Sequence, residues 1–375
     1  MWLILFIGFS YGMVMLYYFY GSRKIKAIKL IDSTAKTTFS VIIPFRNEAE
    51  NLPDLLQSLS KIKYPQDLYE VFLVNDASED NSEEIISEWI IENDLESFVR
   101  LLQNNRLSKS PKKDAIKTAV NQSNFEWIVT TDSDCKVPID WLRMYDSLIQ
   151  KDELVFIAGP VVYKGNKSFV AQYQLLDGLS LQIITSGGFG QKNPILCNGA
   201  NLAYKLAVFI ELNGFEGNDH LASGDDIFML EKMSKKHPNK VSYLKTQDAI
   251  VSTKPEKSWS AIINQRLRWA SKTTKQNSLQ AKLLGVFVLL VNLTMLSVPF
   301  MFFISSVIGY VGLTFVLLKL IIDYAMLKSS VSLFKIIVPI GYFLASFIIY
   351  PIITIVVFMG QLLPKYSWKG RSFHR

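Results

Sequence analysis

An α/β domain with a parallel sheet, carried on apolar helices, is the fold class this sequence predicts. Three observations lead there. Short β-branched runs alternate with helical patterns between Phe39 and Thr131, the signature of parallel strands with helices on the sheet faces. Tracts before and after this region are apolar and long enough to cross a bilayer. The 375-residue chain is 49% hydrophobic with a mean hydropathy of +0.20, too apolar for an ordinary soluble protein.

The first tract, Trp2 to Tyr20, has no Lys or Arg before it and Arg23, Lys24, Lys26 and Lys29 just after it. Positive charge behind an apolar segment places the amino terminus outside. A cleaved secretory peptide carries its charge in front, so residues 1–22 are expected to be a retained anchor. From Thr37 the pattern changes. Phe39 to Phe45 reads as a strand and Asn47 to Leu59 as a helix. Glu70 to Asn75 is a second strand, followed by a helix from about Ser82 to Ile91. Val99 to Gln103, a helix from Lys112 to Val120, and a fourth strand from Trp127 to Thr131 complete the series. No internal repeat or low-complexity linker interrupts residues 35–275, which are expected to form one cytosolic domain.

Net charge is +7 and the pI about 9.1, compatible with nucleic acid, an anionic substrate or a membrane surface. No nucleic-acid module is present, and much of the excess charge flanks apolar segments, which favours the membrane surface. The two cysteines, Cys135 and Cys197, have neither zinc nor disulfide spacing, and His220, His237 and His374 are scattered. A reduced compartment without structural zinc follows. Glycine-rich dinucleotide loops and Gly-Lys-Ser/Thr phosphate loops are both missing from the sequence. Phosphates here would need a metal.

Function in such sheets sits beyond the carboxyl ends of the strands. The fourth strand stops at Thr131-Asp-Ser-Asp134. Two carboxylates spaced i, i+2 are hard oxygen donors that take Mg2+ or Mn2+ when phosphate oxygens and water complete the shell. The alternative is a loop start or helix N-cap. The first strand ends in Pro44-Phe-Arg-Asn-Glu48 and the second in Asn75-Asp-Ala-Ser-Glu-Asp80. Asp76 there either accepts hydrogen bonds from a base or sugar, or caps the next helix. A second polar group comprises Cys197-Asn-Gly-Ala-Asn201 and Ser223-Gly-Asp-Asp226, with Gly214, Gly217 and Gly224 marking a flexible loop before it. Asp225 and Asp226 either complement a helix dipole or supply a general base. Last comes Trp259 to Trp269, where Gln265, Arg268 and Trp269 share one helix face at i, i+3 and i+4. A guanidinium there suits a diphosphate and an indole suits a sugar; an amphipathic interfacial helix is the other reading.

Together, Pro44-x-x-Asn-Glu48, Asn75-Asp-Ala-Ser78, Thr131-Asp-Ser-Asp134, Gly224-Asp-Asp226 and Gln265-x-x-Arg-Trp269 resemble the motifs of the family 2 glycosyltransferases, over about residues 38–270. The resemblance implies a GT-A fold binding a nucleotide-sugar. It places Pro44, Glu48 and Asp76 at the nucleoside and Lys112 near it or the diphosphate. Asp134 becomes the ligand of Mg2+ or Mn2+ with Asp132 beside it, and Asp226 the catalytic base. Asn198, Asp225, Gln265, Arg268 and Trp269 go to the acceptor or diphosphate. The family often has Asp where Asn75 stands. The Trp368-x-Gly370-Arg371 ending is similar to that of some membrane members.

From about Leu283 the chain is again apolar, and residues 283–361 are expected to hold two spans with a turn near Ser305 to Gly312, then a last block containing Pro339 and Pro351. Asp323 is expected at the cytosolic edge. The basic tail, 362–375, is cytosolic by the charge rule and outside by counting spans, which suggests a re-entrant or doubled last segment. The resulting expectation is a multi-pass, metal-dependent, inverting hexosyl- or N-acetylhexosaminyltransferase. It moves a sugar, from a UDP donor by family habit, to a membrane lipid at the cytosolic face. A processive polysaccharide synthase is the rival enzyme; an inactive membrane scaffold or receptor is the rival class.

Overall fold

The computed structural model describes residues 1–31, 34–219, 221, 223–362, 365–368 and 371–374. Its elements in chain order are α1 (Trp2–Lys24), β1 (Phe39–Phe45), α2 (Leu52–Leu59), β2 (Tyr69–Asn75), α3 (Ser82–Glu92), β3 (Val99–Gln103), α4 (Pro111–Val120), β4 (Trp127–Thr130), β5 (Cys135–Lys136) and α5 (Trp141–Ile149). There follow β6 (Phe156–Ala158), β7 (Val161–Tyr163), α6 (Phe169–Gly190), β8 (Leu202–Lys205), α7 (Leu206–Glu211), α8 (Asp225–Lys236), β9 (Val241–Tyr243) and β10 (Val251–Thr253). The chain closes with α9 (Trp259–Lys275), α10 (Leu279–Met301), α11 (Ser306–Phe334), α12 (Ile340–Gly360), β11 (Lys365–Trp368) and β12 (Arg371–His374). Contacts divide it into two units, residues 25–164 with 192–254, and residues 1–24, 165–191 and 255–375.

The first unit carries a seven-stranded sheet in the order β3-β2-β1-β4-β8-β6-β9. Strands β1 to β4 are parallel, as the alternation predicts, but β8 is antiparallel to both β4 and β6. The sheet is mixed rather than parallel. The reason is that β8 enters from the edge where β4 ends, with Leu202 opposite Thr130, and so carries the Asn198–Asn201 turn to the end of β4. Pro44 sits where its missing N–H does no harm. Thr131 N donates to Ile42 O and Asp76 N to Phe45 O, so residue 44 faces β4, whose pairing has already stopped at Thr130. Behind the sheet ends, Asn201 is fully buried. Its Oδ1 accepts from Trp141 Nε1 (2.9 Å) and Tyr145 Oη (2.7 Å), and its Nδ2 donates to Pro160 O and Ala249 O, each at 2.8 Å.

In the second unit, among the described residues, four helices, α1, α10, α11 and α12, are long and apolar enough to cross a membrane. One lies before and three after the sheet-bearing region, as the hydropathy predicts. Residues 302–305 break α10 from α11, slightly ahead of the expected turn. Asp323 lies inside α11 rather than at its edge, because Lys319 one turn away pairs with it at 2.5 Å and Tyr11 Oη also donates to it. With that charge neutralised the helix runs on to Phe334. The last block is neither doubled nor broken. It is the continuous helix α12, with Pro339 at its N-cap and Pro351 inside it.

Helix α6 went unforeseen. It is apolar on most faces and so carries little 3.6-residue signal. Its glycines meet α1 at backbone distance: a Cβ on Gly187 would stand 2.3 Å from Tyr18 O, and one on Gly190 would stand 1.8 Å from Gly21 O.

Both ends of α12 are fastened to α6 and α9. Tyr342 Oη donates to Lys167 O and Gln361 Nε2 to Leu267 O, both at 2.9 Å. The tail is therefore expected on the same side of the bilayer as Lys167. In a Cys197→Ser background, a cysteine added after Arg375 and one at position 167 should react with a membrane-impermeant maleimide from one side only. Labelling from opposite sides would mean that α12 crosses. Of the Trp368-x-Gly370-Arg371 ending, residues 369 and 370 lie outside the described residues, while its flanks pair as the β11–β12 hairpin.

Candidate active site

Loops at the carboxyl ends of β1, β2 and β4, the turn before β8 and the first turns of α4 and α8 build the site. After β2 the chain turns through Ala77, which has a φ of 54°. Asp76 is buried, accepting from Asn104 Nδ2 at 2.7 Å and Arg106 Nε at 2.5 Å. It does not cap α3. The N-cap of α3 is Asn81, with no side-chain cap bond, and just before it Asp80 Oδ1 accepts from Ser82 N at 3.1 Å and Ser82 Oγ at 2.5 Å. Arg46 binds the Asp76 carbonyl from the other loop at 2.9 Å. Buried Glu48 accepts from Asn51 Nδ2 at 2.7 Å, and its amide donates to Ser82 Oγ at 2.8 Å.

Asp132 and Asp134 follow β4 and lead into a strand, β5, not a helix, so the helix-cap alternative for this pair fails. Lys112, in the first turn of α4, reaches Asp132 Oδ1 at 2.7 Å and Asp225 Oδ2 at 3.1 Å. Gly199 lies against the same group: a Cβ there would stand 3.0 Å from Asp225 Oδ2 and 3.3 Å from Lys112 Nζ. Asp226 is buried in the first turn of α8. Its Oδ1 accepts from Ile227 N at 2.8 Å and its Oδ2 from Gly199 N at 3.3 Å. Asp132, Lys112, Gly199, Asp225 and Asp226 thus form one continuous cluster.

Burial alone would push the Lys112 ammonium down, but the charges of Asp132, Asp225 and Asp226 outweigh it and hold the group above the ordinary lysine value. A raised folded pKa contributes stability that is fully present below the unfolded value and is lost only as pH rises through the folded one. Lys112→Met is therefore expected to lower Tm equally at pH 7 and pH 9 in thermal scans. A penalty that shrinks over that interval would show the ammonium already titrating. Beside it, burial and then the charges of Asp134 and Asp132 push the Cys135 thiol well above its ordinary range.

Among the described residues no group of three or more His, Cys, Asp and Glu side chains is arranged to hold an ion. The donor set nonetheless fits a cation completed by substrate. Asp132, Asp225 and Asp226 bring three carboxylates around the Lys112 ammonium, and Asp134 follows Asp132 by two residues. A diphosphate entering such a field needs a divalent cation with it, and oxygen-only ligation suits Mg2+ or Mn2+.

Sequence reasoning missed Arg106 and Lys113, and named Gly199 only within the Cys197–Asn201 run. Lys113 is fully buried and binds Asn218 O at 2.6 Å and Leu221 O at 3.0 Å, fastening the loop before Asp225. Gly214, Gly217 and Gly224 in that loop have φ values of 51°, 84° and 91°, which explains glycine there. Asn198 shapes its own turn, accepting from Ala200 N at 3.0 Å. Gln265, Arg268 and Trp269 belong to the other unit, on α9.

Residues 127–359, more than half of the chain, match the model described as Glycosyl transferase family group 2, and residues 40–209 match Glycosyl transferase family 2. The chain belongs to the family 2 glycosyltransferases. Among its relatives in that family, the glycosyltransferase AglE of Haloferax volcanii is 27% identical over 191 residues, 50% of this chain and 58% of that protein. The poly-beta-1,6-N-acetyl-D-glucosamine synthase of Staphylococcus epidermidis is 21% identical over 333 residues, covering 85% of this chain and 75% of the synthase. A mannosyltransferase from Pyrobaculum calidifontis, solved with GDP-Man and Mn2+, is 16% identical and superposes with a TM-score of 0.57 over 96% of this chain and 99% of its own. That likeness establishes the shared GT-A fold. The chain spans little more than half the length of the Haloferax relative.

Proposed function

We propose that this membrane protein transfers a sugar from a nucleoside-diphosphate donor, a UDP-sugar by the family's habit, to a lipid acceptor at the cytosolic face. The observation that carries the reading is the cluster of Asp132, Lys112, Gly199, Asp225 and Asp226 at the strand ends. Asp76 and Glu48, held rigidly in their loops, receive the nucleoside. Asp134, helped by Asp132, would hold a divalent cation, which when bound neutralises charge on the leaving diphosphate. Lys112 keeps Asp132 and Asp225 in place. Asp226 takes the acceptor proton as its oxygen attacks in line from the opposite face of the sugar, with inversion. Gln265, Arg268 and Trp269 on α9 serve the acceptor or the diphosphate. Arg23, Lys24, Lys26 and Lys29 support a cytosolic sheet-bearing unit.

A processive polysaccharide synthase is the second reading, favoured by the extent of the match to the Staphylococcus synthase. Three helices after the sheet-bearing unit are few for a translocation path, which supports single transfer. The deciding assay is nucleotide release from UDP- and GDP-sugars by the full chain in vesicles of native lipid extract, with Mg2+ or Mn2+ and with chelator. Metal-dependent release with one donor and a lipid-extractable product is expected. A long water-soluble polymer would select the synthase reading. No turnover and no donor binding would overturn both.

A further inference from the structure

The inference concerns α6, whose residues enter none of the steps above, and it rests on the reading of the α9 motif as an acceptor element. Two polar side chains one turn apart on α6, Gln174 and Asp177, are buried and both bind the α9 segment. Gln174 grips the backbone of Glu256 from both sides: its Nε2 donates to Glu256 O at 3.0 Å and its Oε1 accepts from Glu256 N at 2.8 Å. The Glu256 side chain in turn accepts from Gln265 Nε2 at 3.2 Å. Asp177 forms an ion pair with Arg266, and the Arg266 guanidinium lies over the Trp269 ring, 4.7 Å from its centroid. Tyr173, on the same helix, meets Trp259 edge-on at 5.2 Å.

These contacts form two parallel chains. We propose that Asp177 and Gln174 are positioning residues for the α9 motif, Asp177 fixing Trp269 through Arg266 and Gln174 fixing Gln265 through Glu256. The physical case begins with the cost of the pair. A buried ion pair is no more stabilising than well-packed apolar residues of similar volume, so fold stability alone does not account for Asp177. What the carboxylate does supply is direction. A guanidinium pinned on one side by a carboxylate has its plane fixed and lies flat on the indole, where charge and ring quadrupole attract. An arginine on an apolar helix surface without that partner extends toward water, and the indole is then free to change rotamer. Arg266 also covers one face of Trp269, so a sugar or lipid headgroup has only the opposite face on which to stack.

The test uses the full chain in vesicles of native lipid extract, comparing wild type, Asp177→Asn and Asp177→Glu. Two readings are taken. Hydroxyl-radical footprinting by mass spectrometry reports exposure of Trp269 and needs no substrate. Kinetics with the lipid extract titrated as the acceptor separates KM for acceptor from kcat and from nucleotide release without acceptor. In Asp177→Asn, Trp269 oxidation should rise several-fold with Trp127 unchanged, and KM for acceptor should rise about ten- to a hundredfold. Acceptor-independent nucleotide release should not move, and Asp177→Glu should recover most of the loss. Unchanged Trp269 oxidation in Asp177→Asn overturns the proposal, as does increased oxidation with unchanged acceptor KM. A wild type that turns over no donor sinks the transferase reading instead, while footprinting still decides whether Asp177 holds Trp269. Should Asp177→Asn not fold, the double variant Asp177→Leu/Arg266→Leu, which buries no charge, takes its place with the same outcomes.

Discussion

Asp226→Asn is expected to lower sugar transfer by about 10²- to 10⁴-fold, the usual contribution of a positioned general base. The substitution is isosteric, and the remaining amide oxygen still accepts from Ile227 N, as Oδ1 does now at 2.8 Å. The fold should therefore hold. Donor affinity should also hold, because Lys112, Asp132 and Asp134 are untouched. Neighbouring Asp225 is poorly placed to substitute, since its Oδ2 is engaged by Lys112 at 3.1 Å. Single-turnover kinetics beside calorimetric binding of the donor separates the two effects. Transfer within about threefold of wild type would move the base to another residue; lost donor binding would make Asp226 part of the donor site.

Asn201→Leu is expected to be the more damaging change to the fold. One side chain satisfies two donors, Trp141 Nε1 and Tyr145 Oη, and two carbonyls, Pro160 O and Ala249 O. All four partners lose their bond at once, in the buried core. At about 1–3 kcal/mol for each unsatisfied buried group, the total is of the order of the whole stability of a typical domain, about 5–15 kcal/mol. Little folded protein should be recovered, and any that is should melt far below wild type. A Tm loss under about 5 °C would mean that water or a neighbour replaces the amide.

These two residues show what a sequence discloses. Asp226 is legible because its chemistry is local: two acids at a helix start, behind a glycine loop, beside other short motifs. Strands β1 to β4 were legible for the same reason, since β-branched runs and their turns are written in contiguous residues, whereas the short β5 to β10 were not. Asn201 has partners 41 to 60 residues away in sequence, so nothing near it separates a core hub from a site residue. Arg106 reaches back 30 residues to Asp76, and Lys113 reaches forward 105 to Asn218. The reversed direction of β8 was hidden too, because strand order depends on which edge the chain returns to. Asp76 stands between these cases: local rules left helix cap and ligand contact open, and the start of α3 at Ser82, with Asn81 as its N-cap, decided against the cap.

The backbone contact of α1 with α6 bears on how this protein can be handled. Gly21, Gly187 and Gly190 let two helices touch with no side chain between them, and a Cβ on any of the three would run into main-chain oxygen. The amino-terminal segment is thus a structural partner of α6, the helix whose Asp177 and Gln174 hold the α9 motif. Trimming it to obtain a soluble catalytic fragment removes a wall of the building. A preparation that keeps α1 and the lipid around it is the form in which acceptor chemistry should be sought.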